Sequence, residues 1–346
     1  MITKVQLVKP YTYTQSFETP RSVSKQTVFD DKVSFKGLMS NKDKESLKMC
    51  VYDLDDTLLE GSQESRNKVL DFSKNNKTLV YSSARPLKNV LPLIKDGTLV
   101  MPDFYVGNNG INIYKNVNGK LEEISDWSDR LAAKFNKDKV RSTMLDLAKA
   151  NMFDKYEWEK ITKTTTMPEG QQEFRGSKIT EYEVFGSPLN IYFMMAPGIF
   201  EKTRPLIEEK LKENNIEADI IFQNFDKNNL KNLGKYFPPQ VAQDMLNHAL
   251  PRLNKDGSVD VTIITAKTDK GEATEYIRNE LGIEKNEIFA AGDGENDYSH
   301  TNKGYLFGLV SNATKGLKDL IKKLPNPNII QTSKPGVEGV WEIVEP

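Results

Sequence analysis

Met49-Cys-Val-Tyr-Asp53-Leu-Asp55-Asp-Thr57-Leu-Leu59 runs from four apolar residues directly into three acids. The apolar run predicts a buried strand, and the acids fall where that strand gives way to a loop. A second stretch, Phe289-Ala-Ala-Gly292-Asp293-Gly-Glu295-Asn296-Asp297, repeats the arrangement with three acids and two glycines. Acids at strand ends are costly to desolvate unless a cation or hydrogen-bond partners compensate them. Two such clusters, far apart in sequence, point to one site built from several strand ends around a hard cation such as magnesium.

Outward from Asp53 the pattern is β-α-β. A strand at 47–52 is followed by a helix at 63–73, a second strand at 77–82 and a further helix at 87–94. Asp53 and Ser83 lie thirty residues apart, about the length of one βαβ unit. That spacing places both at carboxyl ends of parallel strands, where open α/β sheets bind ligands. Strands at 103–106 and 111–114 flank Gly107-Asn-Asn-Gly110, a turn signal. The pattern resumes with a strand at 259–265, a helix at 271–281, a strand at 288–291, a strand at 306–310 and a helix at 313–324.

The middle of the chain differs. Helical sequence at 126–151 and 200–214 mixes with strands at 179–185, 189–195 and 218–222, and the Pro238-Pro239 pair interrupts an irregular stretch. This reads as an α+β insertion over 116–258, splitting an α/β core into 46–115 and 259–346. Residues 1–45 show no sustained period and read as a poorly ordered extension. Tyr11, Tyr13, Phe17 and Phe35 could alternatively make it a docking segment.

The 346 residues carry a formal net charge of −1, so no global basic field points to nucleic acid. No stretch approaches the roughly 18 apolar residues of a membrane helix. The start of the chain also lacks the apolar centre of a secretory signal, because Lys4 and Lys9 interrupt it. One cysteine, Cys50, excludes a disulfide framework within the chain, which agrees with a reducing compartment. The expectation is a cytoplasmic protein. His248 and His300 sit in no metal-ligand pattern and read as structural or surface residues. A calcium-type reading of the Asp293 loop lacks its twelfth-position glutamate, since that position is Gly304.

Four motifs, in order, carry a resemblance. Asp53-Leu-Asp55-Asp-Thr57 resembles the first motif of the haloacid dehalogenase-like phosphohydrolases, and Gly292-Asp293-Gly-Glu-Asn296-Asp297 is similar to their last. Val80-Tyr-Ser-Ser83-Ala-Arg85-Pro86 resembles the second, which ends a strand on a hydroxyl residue. Thr268-Asp-Lys270-Gly-Glu-Ala273 resembles the lysine-bearing third, with Lys267 as a rival for the lysine. The resemblance implies a Rossmann-like parallel core with an α+β cap inserted between the second and third motifs, as in the type IIB (Cof-like) subgroup. It implies a Mg²⁺-dependent phosphatase acting through an aspartyl-phosphate. Asp53 would be nucleophile and metal ligand. Asp55 would be the general acid and base, its backbone carbonyl also on the metal. Asp293 would be the second metal carboxylate, supported by Asn296 and Asp297, and Ser83 and Lys270 would hold the phosphoryl oxygens. Ala84 stands where the capped families usually have glycine, and Ser83 where they have threonine; the expected result is altered efficiency with activity retained.

Within that subgroup, residues 79–127 resemble sucrose-phosphate phosphatases, notably Leu79-Val-Tyr-Ser-Ser-Ala-Arg85, Met101-Pro-Asp-Phe-Tyr-Val-Gly-Asn-Asn-Gly-Ile-Asn-Ile-Tyr114 and Asp126-Trp127. Gly308-Leu-Val-Ser-Asn312-Ala313 is similar to their strand and loop after the last motif. The resemblance implies a small-molecule sugar phosphate as substrate, read by the cap. Arg85, Asn109 and Asn312 are candidate substrate residues, with Gln171, Gln172 and Lys178 as polar positions of the cap. Residues 224–258 form an additional segment. Two other functions use the same residues: a phosphomannomutase-like phosphotransfer to a second sugar position, and a non-catalytic binding protein of the same fold.

Overall fold

Eight strands form one sheet in the order β13-β12-β11-β1-β2-β3-β4-β5. The structure is a computed structural model that describes residues 39–149, 157–161, 177–182, 188–195, 198–226, 257–325 and 328–345. Within the sheet, β1 (Met49–Tyr52), β2 (Thr78–Ser82), β3 (Phe104–Gly107), β11 (Ile288–Gly292), β12 (Leu306–Leu309) and β13 (Ile329–Gln331) run parallel. The hairpin strands β4 (Asn112–Val117) and β5 (Lys120–Glu123) close one edge antiparallel. Helices α1 (Asn41–Ser46), α2 (Gln63–Lys74), α3 (Leu87–Lys95) and α4 (Ser125–Ala132) belong to the first half of the chain, followed by α5 (Lys137–Lys149) and α6 (Ile199–Glu213). The later helices are α7 (Lys270–Leu281), α8 (Tyr298–Asn302), α9 (Lys315–Ile321) and α10 (Gly336–Val344).

The central strand is apolar because it is covered on both faces. All four residues of β1 are fully buried, as a parallel strand in the middle of an α/β sheet requires. Cys50 is one of them. Burial pushes its thiol up to about 11, so it packs as a small apolar residue and is no nucleophile.

The chain divides into two units. One holds the described residues up to Ser128 together with those from Thr268 onward; the other holds Asp129 to Lys267. In the second unit, β6 (Glu157–Ile161), β7 (Ser177–Tyr182), β8 (Asn190–Met195), β10 (Ser258–Ala266) and β9 (Ala218–Asp226) form a five-stranded sheet in that spatial order. Its helices α5 and α6 bury Val140, Met144, Ile207 and Leu211, and Asn214 donates to Thr143 Oγ1 at 2.8 Å.

These boundaries differ from the expected 116 and 258. The β4–β5 hairpin stays with the eight-stranded sheet, and β10, expected in the core, pairs antiparallel with β8 and β9. An alternating apolar run announces a strand but carries no label for its sheet. The expected extension over 1–45 also ends sooner. Ser40 caps α1 by accepting from Asp43 N, Met39 packs in the core, and Lys44 Nζ donates to the carbonyl of Glu345. Tyr11, Tyr13, Phe17, Phe35, Gln171, Gln172, His248, Pro238-Pro239 and most of 224–258 lie outside the described residues, as does the side chain of Lys178.

Candidate active site

Strand register gathers the motif residues. Tyr52 pairs with Ala291 on one side and with Tyr81 on the other, and Asp53 N donates to Ala291 O at 3.0 Å. Asp53, Ser83 and Asp293 therefore leave the carboxyl ends of three adjacent parallel strands. After Asp53 the chain makes a five-residue turn, Leu54–Leu58, in which Asp56 adopts a left-handed conformation with φ 53°. Aspartate tolerates that region better than most residues, because its short polar side chain can hydrogen-bond locally.

Lys270 is the centre of charge. It opens α7, is fully buried, and donates to Asp53 Oδ1 at 2.5 Å and to Asp297 Oδ1 at 2.7 Å. Burial alone would push its ammonium down, but the carboxylates of Asp297 and Asp53 outweigh burial and hold it above its ordinary value. The other oxygen of Asp297 accepts from the backbone N–H groups of Asp293 (3.2 Å) and Gly294 (3.1 Å). Asp297 is thus spent on protein donors and acts as a brace. A side chain at Gly292 would place its Cβ 2.3 Å from the carboxyl carbon of Asp297, so the closing of this loop requires glycine there.

Asp53, Asp293 and Asp297 each offer an oxygen within 4.8 Å of the others. One ammonium faces three buried carboxylates, which leaves two negative charges uncompensated when all are ionised. The carboxyl pKa values register this. Burial, reinforced by Asp297 and Asp293 and opposed by Lys270, pushes Asp53 well above the ordinary carboxylate range. Burial and the charge of Asp297 push Asp293 up to about 7, against a 2.9 Å hydrogen bond from Thr57 Oγ1. An all-oxygen, doubly negative donor set fits a hard divalent cation of the Mg²⁺ type. Asp53 and Asp293 are the carboxylates that could hold it.

This electrostatics gives a pH-dependent expectation. A carboxyl whose pKa is raised by folding takes up protons in the native state, so the metal-free protein loses stability as pH climbs from about 4 toward 7. The ionised form is the one that binds a cation. Melting with Mg²⁺ and with EDTA should therefore show a Tm gain that is larger at pH 8 than at pH 5. Equal gains at both pH values would remove the cation from this site.

The remaining motif residues have defined partners. Arg85 grips Asp55 through both carboxylate oxygens, at 2.5 and 2.8 Å, in a solvent-facing pair. Ser83 is fully buried and its Oγ accepts from Arg85 N at 3.1 Å, which fixes the hydroxyl at the end of β2. Ala84 is exposed. Asn296 donates to Asn109 Oδ1 at 3.1 Å. Asn312 donates to Asp56 O at 2.6 Å and accepts from Gly336 N at 2.9 Å, tying the Asp53 loop to α10. The amide of Asn312 is therefore committed to backbone. Thr57, read in sequence only as part of a motif, joins the first and last motifs by its bond to Asp293. His300 is buried beside Thr274 at 3.2 Å, and burial pushes it down to about 4, so it is a neutral core residue.

Residues 50–328 match the family of haloacid dehalogenase-like hydrolases. The chain belongs to that family. The type IIB placement read from the motifs agrees with this match. Among curated proteins none matches the sequence. Among solved structures, the sucrose-phosphatase of Synechocystis sp. PCC6803, crystallised with sucrose and phosphate, has a TM-score of 0.56 at 17% identity, covering 86% of this chain and 96% of that one. The haloacid dehalogenase-like protein yhjK of Bacillus subtilis has a TM-score of 0.53 at 16% identity, covering 86% and 95%. At these identities the likeness is one of fold. The hydrolase's described residues include no helix long and apolar enough to cross a membrane.

Proposed function

We propose that this hydrolase is a Mg²⁺-dependent phosphatase of small sugar phosphates. The observation that carries the reading is the buried Lys270 shared between Asp53 and Asp297 beside Asp293. Such a cluster holds a carboxylate ready beside a place for a transferring phosphoryl group. Phosphate monoesters are extremely inert in water, so charge neutralisation and a placed nucleophile are both needed. The carboxylate of Asp53 attacks phosphorus as the ester P–O bond breaks, leaving an aspartyl-phosphate on Asp53. Asp55 takes up a proton from solvent as it releases one bond to Arg85, and gives that proton to the leaving alkoxide. It then takes a proton from the water that releases inorganic phosphate. Lys270 and the Ser83 hydroxyl hold the phosphoryl oxygens, one by charge and one by a hydrogen bond. Mg²⁺, when bound to Asp53 and Asp293, supplies positive charge between the carboxylate and the phosphate.

The sugar preference rests on sequence likeness to sucrose-phosphate phosphatases over 79–127 and on the shared fold. A cytoplasmic setting goes with the single, buried cysteine, and the partner is a small molecule without nucleic acid or membrane. Turnover of p-nitrophenyl phosphate with and without Mg²⁺, followed by a panel including sucrose 6-phosphate and hexose phosphates, tests the reading. Release of inorganic phosphate only with Mg²⁺ supports it. Conversion of a sugar bisphosphate to an isomer, with no net phosphate released, would replace it by phosphotransfer.

One variant tests the cation's residues. Asp293→Asn should raise the Mg²⁺ concentration for half-maximal activity by about tenfold or more and lower the maximal rate. Removing one of two carboxylates leaves the ion underligated, while the amide oxygen can still accept from Thr57. An unchanged midpoint and rate would take Asp293 out of the metal site.

A further inference from the structure

The loop after β3 touches both the second and the last motif through one side chain and its own backbone. Asn108, Asn109 and Gly110 all sit at positive φ, at 51°, 57° and 100°. A run of left-handed residues turns successive N–H groups in one direction, and here they point into the second motif. Asn109 N donates to Ser83 O and Asn108 N to Arg85 O, each at 3.1 Å, and the Tyr105 hydroxyl donates to Arg85 O as well. The side chain of Asn109 reaches the other way, and its Oδ1 accepts from Asn296 Nδ2 at 3.1 Å. Asn296 is itself folded back on its loop: a Cβ at Gly294 would lie 2.6 Å from its Oδ1. On its far side the loop backs onto α7. A Cβ at Gly110 would lie 2.2 Å from the carbonyl oxygen of Asp269, the residue before Lys270, and Gly110 O accepts from Trp127 Nε1 at 2.9 Å.

We infer that Asn109 is a positioning residue that holds the Asp293–Asp297 loop in register with Ser83. It meets no reacting group itself. Its backbone fixes the peptide of the phosphate-binding serine, and its amide oxygen fixes the loop that braces Lys270. Placement errors of a fraction of an ångström between phosphate ligands and nucleophile are expensive in rate, so the bridge acts on the chemical step. Asparagine suits the position twice, because it tolerates the left-handed region and offers an acceptor.

The inference rests on the phosphatase reading and deepens it. The test is steady-state kinetics on p-nitrophenyl phosphate at saturating Mg²⁺, with melting curves for each protein. Asn109→Gly keeps the backbone conformation and its hydrogen bonds to the second motif, and removes only the acceptor. It should lower kcat about tenfold with KM little changed. Asn109→Asp keeps the acceptor but adds a charge near the phosphate site; it should keep kcat within about threefold and raise KM. Asn296→Ala should slow the enzyme as Asn109→Gly does. The double variant Asn109→Gly with Asn296→Ala should be about as slow as the slower single one, because both remove the same bond. Asn118→Gly is the matched control: Asn118 is also left-handed, with φ 53°, but exposed in the β4–β5 turn, and its loss should leave kcat unchanged. A folded Asn109→Gly protein with wild-type kcat overturns the inference alone, as does a double variant whose losses multiply. A wild type that hydrolyses no phosphate monoester with Mg²⁺ overturns the phosphatase reading and the inference with it.

Discussion

Asp53→Asn is expected to lower turnover by about three orders of magnitude or more while the fold survives. Asparagine matches aspartate in shape and can still accept from Lys270 Nζ, but its amide oxygen is a poor nucleophile toward phosphorus. The stability effect runs opposite to the usual cost of a buried substitution. Burial already holds the carboxyl of Asp53 well above its ordinary pKa, so its ionised form is a burden on the metal-free fold at neutral pH. Removing that charge should leave the metal-free Tm at pH 7.5 equal or higher, because Lys270 keeps Asp297 as partner. Mg²⁺ should then stabilise the variant less than the parent. The measurement is the rate of phosphate release from freshly purified protein, before deamidation regenerates aspartate. A persistent wild-type rate would remove Asp53 from the nucleophile's role.

Lys270→Met should cost both rate and stability. The side chain is fully buried between two carboxylates. Removing one partner of a buried ion network leaves charge stranded, at about 3–5 kcal/mol. For a chain of this size that corresponds to a drop in Tm of about 4–7 °C in metal-free protein. The loss should shrink as pH falls toward 5, because the raised carboxyl of Asp53 can then protonate instead of standing ionised and unpaired. The double variant Lys270→Met with Asp297→Asn should recover stability, since one stranded charge leaves with its partner. It should not recover turnover, because no cation remains at that position to face the phosphate. Equal melting of Lys270→Met and wild type at pH 7.5 without metal would mean that the network contributes little to the fold. Recovery of rate in the double variant would mean that Lys270 serves only as a structural counterion.

What could be read from the sequence follows burial. The runs before Asp53, Ser83 and Asp293 are strands because a central parallel strand must be apolar throughout, and that leaves a plain mark. The acids after them were legible for the converse reason, being costly where they stand. Strand β5, Lys-Leu-Glu-Glu, buries only Leu121 and carries almost no signal. Helix α10 contains Gly336 and Gly339 yet forms because Val337, Val340, Ile343 and Val344 pack against the core. Tertiary packing overrides a poor local propensity there. At the site, the residue types were legible and the pairings were not. That Arg85 takes Asp55, that Asn109 takes Asn296, and that Asn312 takes the Asp56 carbonyl depends on where five loops meet, and no spacing along the chain encodes it.

The hydrogen bond from Lys270 to Asp53 spans 217 positions, and that from Thr57 to Asp293 spans 236. The whole 129–267 unit is threaded between these partners. The reactive constellation is therefore held by contacts of high contact order, and such contacts form slowly. On a ribosome, Asp53 emerges long before Lys270 or Asp293 exists to receive it. A refolding chain regains helical dichroism from its local elements first, and competence to cleave phosphate returns only when the two halves of the split core have found each other.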